Sequence, residues 1–215
     1  MTLDQQIVLV SGAGRGLGAA IARAFADQGA SVVINYRRSE AAALALAEEL
    51  GAVAIQADVS DREEARRLVN DAAEHFGSHV TTVVNNALGD FSFNGDGRHT
   101  IQSIPWEDFQ GQLDVSLRGA LNLIQATAPA METAGFGRVI NIGTNLFQNP
   151  VVPYHDYTAA KAALLSLTRT AAGDLGPVGI TVNMVSGGLL RTTDASAATP
   201  AAVRPAPRSS RPVPP

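Results

Sequence analysis

Cysteine is absent from these 215 residues, so neither disulfides nor thiolate metal sites are open to the chain, and nothing in it points to an oxidising compartment. Lysine is nearly absent: of sixteen lysines and arginines, only Lys161 is a lysine. Tyrosine is scarce too, with Tyr36, Tyr154 and Tyr157 the only three. No apolar run approaches the ~20 residues needed to cross a bilayer. The opening MTLDQQIVLVSG places an acid, not bases, ahead of its apolar run, and reads as a first strand rather than a secretory leader. A net charge of −4 gives no electrostatic pull toward nucleic acid or an anionic membrane. His75, His79, His99 and His155 form no HExxH or comparable cluster, so no metal site is expected. These exclusions leave a soluble cytoplasmic protein as the expectation.

What is present alternates in type. Runs rich in Val and Ile at Ile7–Val10, Ser31–Asn35, Ala52–Gln56, Thr81–Asn85, Arg138–Ile142 and Ile180–Met184 read as parallel strands covered on both faces. Helical patterns fall near 16–28, 39–50, 61–76, 106–133 and 158–175. Asp61 with Glu64 three residues on marks one helix start, Pro105 marks another, and Pro129 is expected to kink the end of that helix. Repeated β-α-β predicts a single-domain α/β fold, a doubly wound parallel sheet of Rossmann type. Two stretches stand apart. Residues 88–104 form a long Gly/Asn/Asp-rich loop, and the tail from Pro200 holds six of the eleven prolines and is expected to be disordered.

After the first strand comes SGAGRGLG at 11–18. Its glycines at 12, 14, 16 and 18 let backbone amides approach a pyrophosphate, and a helix starting near Gly16 points its positive end there. Discrimination at the cofactor's 2′ position is expected at the end of the second strand. There NYRRSE offers Tyr36 where an acid would accept from a ribose hydroxyl, followed by Arg37 and Arg38, with Arg15 nearby in the glycine turn. Guanidinium groups suit a phosphate, which favours NADP over NAD. Asp58, after the third strand, is placed either to contact the adenine or to cap the next turn.

The lone lysine lies four residues after Tyr157, on the same helical face. A free phenol has a pKa near ~10, and poising it near neutrality takes roughly 4 kcal/mol. A charge at ~4 Å supplies about 1 kcal/mol in water and about 4 in a protein-like dielectric. The pair is therefore expected in a shielded cleft, with Lys161 lowering the phenol's pKa. Tyr154, at the wrong spacing, is expected to pack at the cleft edge.

Taken in order, SGAGRGLG, NNAL at 85–88, GRVINIGT at 137–144, YTAAK at 157–161 and ITVNMVSGG at 180–188 resemble the short-chain dehydrogenase/reductase family. Within it the chain is most similar to the 3-oxoacyl-(acyl-carrier-protein) reductases. The resemblance implies NAD(P)H-dependent reduction of a carbonyl and assembly into a dimer or tetramer, with an acyl thioester on acyl carrier protein as substrate. It implies Tyr157 and Lys161 as catalytic residues, Thr144 in place of the usual Ser, and Ser116 where an Asn usually anchors a proton-relay water. Cofactor contacts are implied for Gly12, Gly14, Arg15, Gly16, Leu17 and Gly18, for Tyr36, Arg37, Asp58, Val59 and Asn86, and for Lys161 and Gly187. Leu88 and Ser186 depart from the family's Gly and Pro. The family continues past the segment matching 187–200 to a further strand. This chain is expected to lack it, with a catalytic domain over 1–199 and a Pro/Arg-rich tail over 200–215. A protein that binds cofactor but does not turn over is the alternative that this ending raises, and a reductase of another small ketone is the alternative on the substrate side.

Overall fold

The computed structural model describes residues 1–94, 97–188 and 190. Six strands, β1 (Ile7–Val10), β2 (Ser31–Tyr36), β3 (Val53–Gln56), β4 (Thr82–Asn85), β5 (Gly137–Thr144) and β6 (Ile180–Gly187), form one sheet in the order β3-β2-β1-β4-β5-β6. Every pairing is parallel. Helices α1 (Gly16–Ala26), α2 (Glu40–Leu50), α3 (Arg62–Phe76), α4 (Trp106–Leu113), α5 (Gly119–Ala134) and α6 (His155–Leu175) connect them. The strand runs were legible as buried because both faces are covered. On one side Leu9, Leu68, Leu123 and Met131 pack from β1, α3 and α5. On the other Val8, Val10, Ile34 and Leu46 pack from β1, β2 and α2.

The order reverses between β1 and β4, where chain leaves the two strands in opposite directions along the sheet. That opens a crevice beyond their carboxyl ends. α3 begins as expected, the Asp61 carboxylate accepting from the amides of Glu63 and Glu64 at 2.9 Å each.

Two expectations are corrected. The helix expected over 106–133 is two helices, α4 and α5, separated by a π-helical turn at Asp114–Arg118. This turn buries Ser116 and delivers Gly119 against Val59, where a Cβ would lie 2.8 Å from Val59 Cγ2. Pro129 lies inside α5, which runs on to Ala134. α6 starts at His155 rather than near 158, so Tyr157 stands in its first turn. The tail over 200–215, and the question of a further strand after β6, lie outside the described residues. No helix among the described residues is long and apolar enough to cross a membrane.

Leu123 is fully buried between α3, α5 and the sheet. Leu123→Ala is expected to cost about 2–5 kcal/mol of stability, read from urea denaturation; a loss under 1 kcal/mol would mean that this core is loosely packed.

Candidate active site

β1 is buried along its whole length, so the chain must turn sharply at its end to start α1 above it. Gly12 and Gly16 take that turn with φ of +63° and +57°, a region costly for other residues. Gly18 faces a close approach: a Cβ there would lie 2.5 Å from the Gly12 carbonyl and 2.6 Å from Asn86 Nδ2. Gly14 packs on Ser39. Arg15 is the exposed N-cap and Leu17 is half-buried over the turn. α1 begins with no side-chain cap, which leaves first-turn amides for an anion. This cradle fits a dinucleotide pyrophosphate.

Two residues with no role in the sequence reading fix the cradle. The Ser11 hydroxyl donates to the Val84 carbonyl and accepts from the amides of Asn86 and Ala87, both at 3.0 Å. Asn86 returns its Nδ2 to the carbonyls of Ser11 and Gly12, at 2.9 and 3.2 Å. Asn35, buried at the end of β2, accepts from the Gly12 amide through Oδ1 and donates to the Ala57 carbonyl at 3.1 Å. One side chain thus joins the ends of three strands. A polar residue closing a Val/Ile run was the available signal for it.

At the 2′ end of the crevice, Arg37 Nη1 donates to Asp58 at 3.2 Å and Arg38 grips Asp90 through both terminal nitrogens. Tyr36 is buried, and both burial and its hydrogen bond to Glu40 push its phenol up. Asp58 accepts from the Ser60 amide at 2.9 Å and hydroxyl at 2.6 Å, which caps the turn after β3. Burial works to raise its carboxyl, but the bonds from Ser60 and Arg37 win and hold it below its ordinary value. Val59 is buried, its carbonyl accepting from Asn122 Nδ2 at 2.9 Å.

Thr144, Tyr157 and Lys161 are brought together where β5 ends beside the first turns of α6. Thr144 Oγ1 accepts from the Leu146 amide at 3.3 Å and is near enough to the Tyr157 phenol to act on its titration. β6 register places Gly187 opposite Thr144, and its carbonyl accepts from the Asn145 amide at 3.1 Å. Lys161 is 3% exposed; its Nζ donates to the Ile142 carbonyl at 2.8 Å and lies 5.9 Å from the Tyr157 ring centroid. Ser116 is buried on the π-helical turn that packs on α6, its Oγ without a hydrogen-bond partner among the described residues.

The expected electrostatics are corrected. Burial pushes the Tyr157 phenol up from its ordinary value, only partly opposed by Thr144. Burial also lowers Lys161 to about 8. The ammonium is spent on a backbone carbonyl rather than on the phenol, so dehydration decides both groups. Tyr154 packs as expected, against Phe91 and Phe93 from the 88–104 loop, and Phe91 also stacks on Tyr157.

A phosphate cradle and a buried phenol at the same edge of one parallel sheet is the layout of an oxidoreductase that works with a dinucleotide. The comparisons agree. Residues 12–213 match the family model described as enoyl-(acyl carrier protein) reductase. A 3-oxoacyl-(acyl-carrier-protein) reductase of Synechocystis is 35% identical over 198 residues, covering 88% of this chain and 76% of the relative. Versicolorin reductase 1 of Aspergillus parasiticus is 36% identical over 196 residues, covering 88% and 71%. A blue fluorescent protein from a metagenomic library, solved in complex with NADPH, superposes with a TM-score of 0.82 at 35% identity, covering 94% of this chain and 81% of that one. The chain belongs to the short-chain dehydrogenase/reductase family and is an NAD(P)-dependent oxidoreductase.

The lysine gives a pH prediction. Its folded pKa of about 8 lies below the ordinary 10.5, so between the two values the unfolded chain holds the extra proton and stability rises with pH. Wild type should gain on Lys161→Met by about 2 kcal/mol between pH 7.5 and 9.5, part of the roughly 3 kcal/mol that the whole shift is worth, as followed by urea midpoints at those two values. A flat difference would refute the burial of a charged amine.

Proposed function

We propose that the chain reduces a carbonyl with NADPH, the substrate being a 3-oxoacyl thioester and the product its 3-hydroxy counterpart. The observation that carries this is the placement of Tyr157, a phenol buried in the first turn of α6 beside Thr144 at the end of β5, where burial pushes its pKa up. A group that keeps its proton at neutral pH is suited to give it to a developing alkoxide, which is the reducing direction.

NADPH is favoured over NADH because Arg37 and Arg38 stand at the end of β2, where the buried Tyr36 offers no carboxylate to a ribose hydroxyl. The solved neighbour's NADPH supports the same choice. Gly12, Gly16, Gly18 and Asn86 would hold the pyrophosphate, Asp58 and Val59 would flank the adenine, and Lys161 and Gly187 would face the nicotinamide ribose. When bound, NADPH supplies the hydride for the carbonyl carbon. Tyr157 donates its proton to the carbonyl oxygen, and Thr144, oriented by the Leu146 amide, polarises that oxygen and steadies the phenolate that results. Lys161, with its pKa of about 8, passes a proton back toward the phenolate, and the Ser116 hydroxyl is available to hold a water on that route. The thioester identity and delivery by acyl carrier protein rest on the Synechocystis relative's name; assembly into a homo-oligomer is carried over from the family resemblance alone.

A second reading, cofactor binding without turnover, is favoured by one contact: the Phe91 ring lies on the Tyr157 ring and covers it. Acetoacetyl thioester reduction followed at 340 nm separates the two. Turnover should fall about 10²–10⁴-fold in Tyr157→Phe while NADPH still raises the melting temperature. Thr144→Ser should stay active and Thr144→Val should not. A folded wild type that NADPH stabilises but that reduces nothing would establish the second reading.

A further inference from the structure

The arginine pair set to receive a 2′-phosphate already carries an anion of the protein's own. Asp90 accepts from Arg38 Nη1 and Nη2 at 3.1 and 2.9 Å and lies 3.8 Å from Arg37 Nη2. The next residue, Phe91, stacks on Tyr157 with ring centroids 4.7 Å apart and planes 18° apart. Phe93 meets the Tyr157 and Tyr154 rings edge-on, both at 5.5 Å. The root of this segment is pinned to α4: a Cβ on Gly89 would lie 3.2 Å from the Gly111 carbonyl, and Gln112 Nε2 donates to the Asp90 carbonyl at 3.4 Å. Consecutive residues therefore carry the salt link to the arginines and the cover over the phenol.

We propose that Asp90 is the built-in counter-ion of the 2′-phosphate subsite, and that a phosphate taking its place on Arg37 and Arg38 lifts Phe91 off Tyr157. A phosphate brings more charge and a third oxygen to a planar guanidinium, and its negative charge repels a carboxylate left beside it. Asp90 is largely exposed and gives up a solvent-screened link, so the exchange is cheap. The backbone at Gly89 stays on α4 while residues 91–94 swing. A cofactor with a hydroxyl at that position leaves Asp90 in place and Tyr157 covered. Asp90 is thus a specificity-determining residue, coupling cofactor choice to access. This rests on the NADPH reading above.

Two fragments test it, adenosine 2′,5′-bisphosphate and adenosine 5′-monophosphate, because both reach the arginines and neither reaches Tyr157. By calorimetry, Asp90→Asn should bind the bisphosphate about two- to fivefold more tightly than wild type does, with monophosphate affinity unchanged. Chymotrypsin should cut wild type after Phe91 and Phe93 faster when the bisphosphate is added and no faster with the monophosphate. Asp90→Asn should be cut at the faster rate without either. Unchanged bisphosphate affinity in Asp90→Asn, or a wild-type cleavage rate indifferent to saturating bisphosphate, would overturn the proposal alone. A wild type that binds both fragments equally well would remove the NADPH reading and the proposal with it.

Discussion

Lys161 Nζ donates to the Ile142 carbonyl from inside the protein, and burying an amine in this way costs free energy that one hydrogen bond only partly returns. The remainder is carried by packing of α6 on β5 and β6, with Leu164 and Ala160 buried on the same helical face as the lysine. The bond has a geometric consequence. It fixes the rotation of α6 about its own axis, and with it the direction in which Tyr157, one turn earlier, presents its phenol to Thr144. An arginine would not fit there. Its planar fork would have to seat several donors where the structure offers one backbone carbonyl.

The two halves of the site come from distant parts of the chain, and buried polar ties hold them in register. Ser11 and Asn86 bind the glycine turn to the end of β4. One residue back, Asn85 donates to Asn141 on β5, and Asn141 donates to Thr168 on α6, both at 2.8 Å. A chain of amides thus runs from the cofactor cradle to the helix that carries the phenol. Such bonds in a low-dielectric interior are stiff, and a vacancy in them is expensive.

Much of this was legible before any coordinates. Parallel strands buried on both faces must be nearly continuous in Val and Ile, so their number and order of appearance could be read directly. The glycine turn and the Tyr157–Lys161 spacing are local patterns, and local patterns survive without a structure. What escaped depends on residues far apart in sequence. The salt link from Arg38 to Asp90 spans 52 positions, and nothing in the long loop's Gly/Asn/Asp composition says that Phe91 comes to rest on Tyr157. Asn35 reads as the last residue of a strand until Gly12 and Ala57 are placed around it. The sign of the phenol's shift was missed for a related reason. Spacing tells that an ammonium is near, but only the folded chain tells that the ammonium has a carbonyl to itself.

A lone lysine also makes the molecule its own reporter. Reagents that seek amines have one lysine to find in this chain, and at 3% exposure the folded protein shields it from them. The shield is the packing of α6 on β5, where the lysine Nζ meets the Ile142 carbonyl. Labelling would therefore report how often this part of the fold opens, and a chain enriched in isotopic lysine would show a single side-chain amine resonance from its interior.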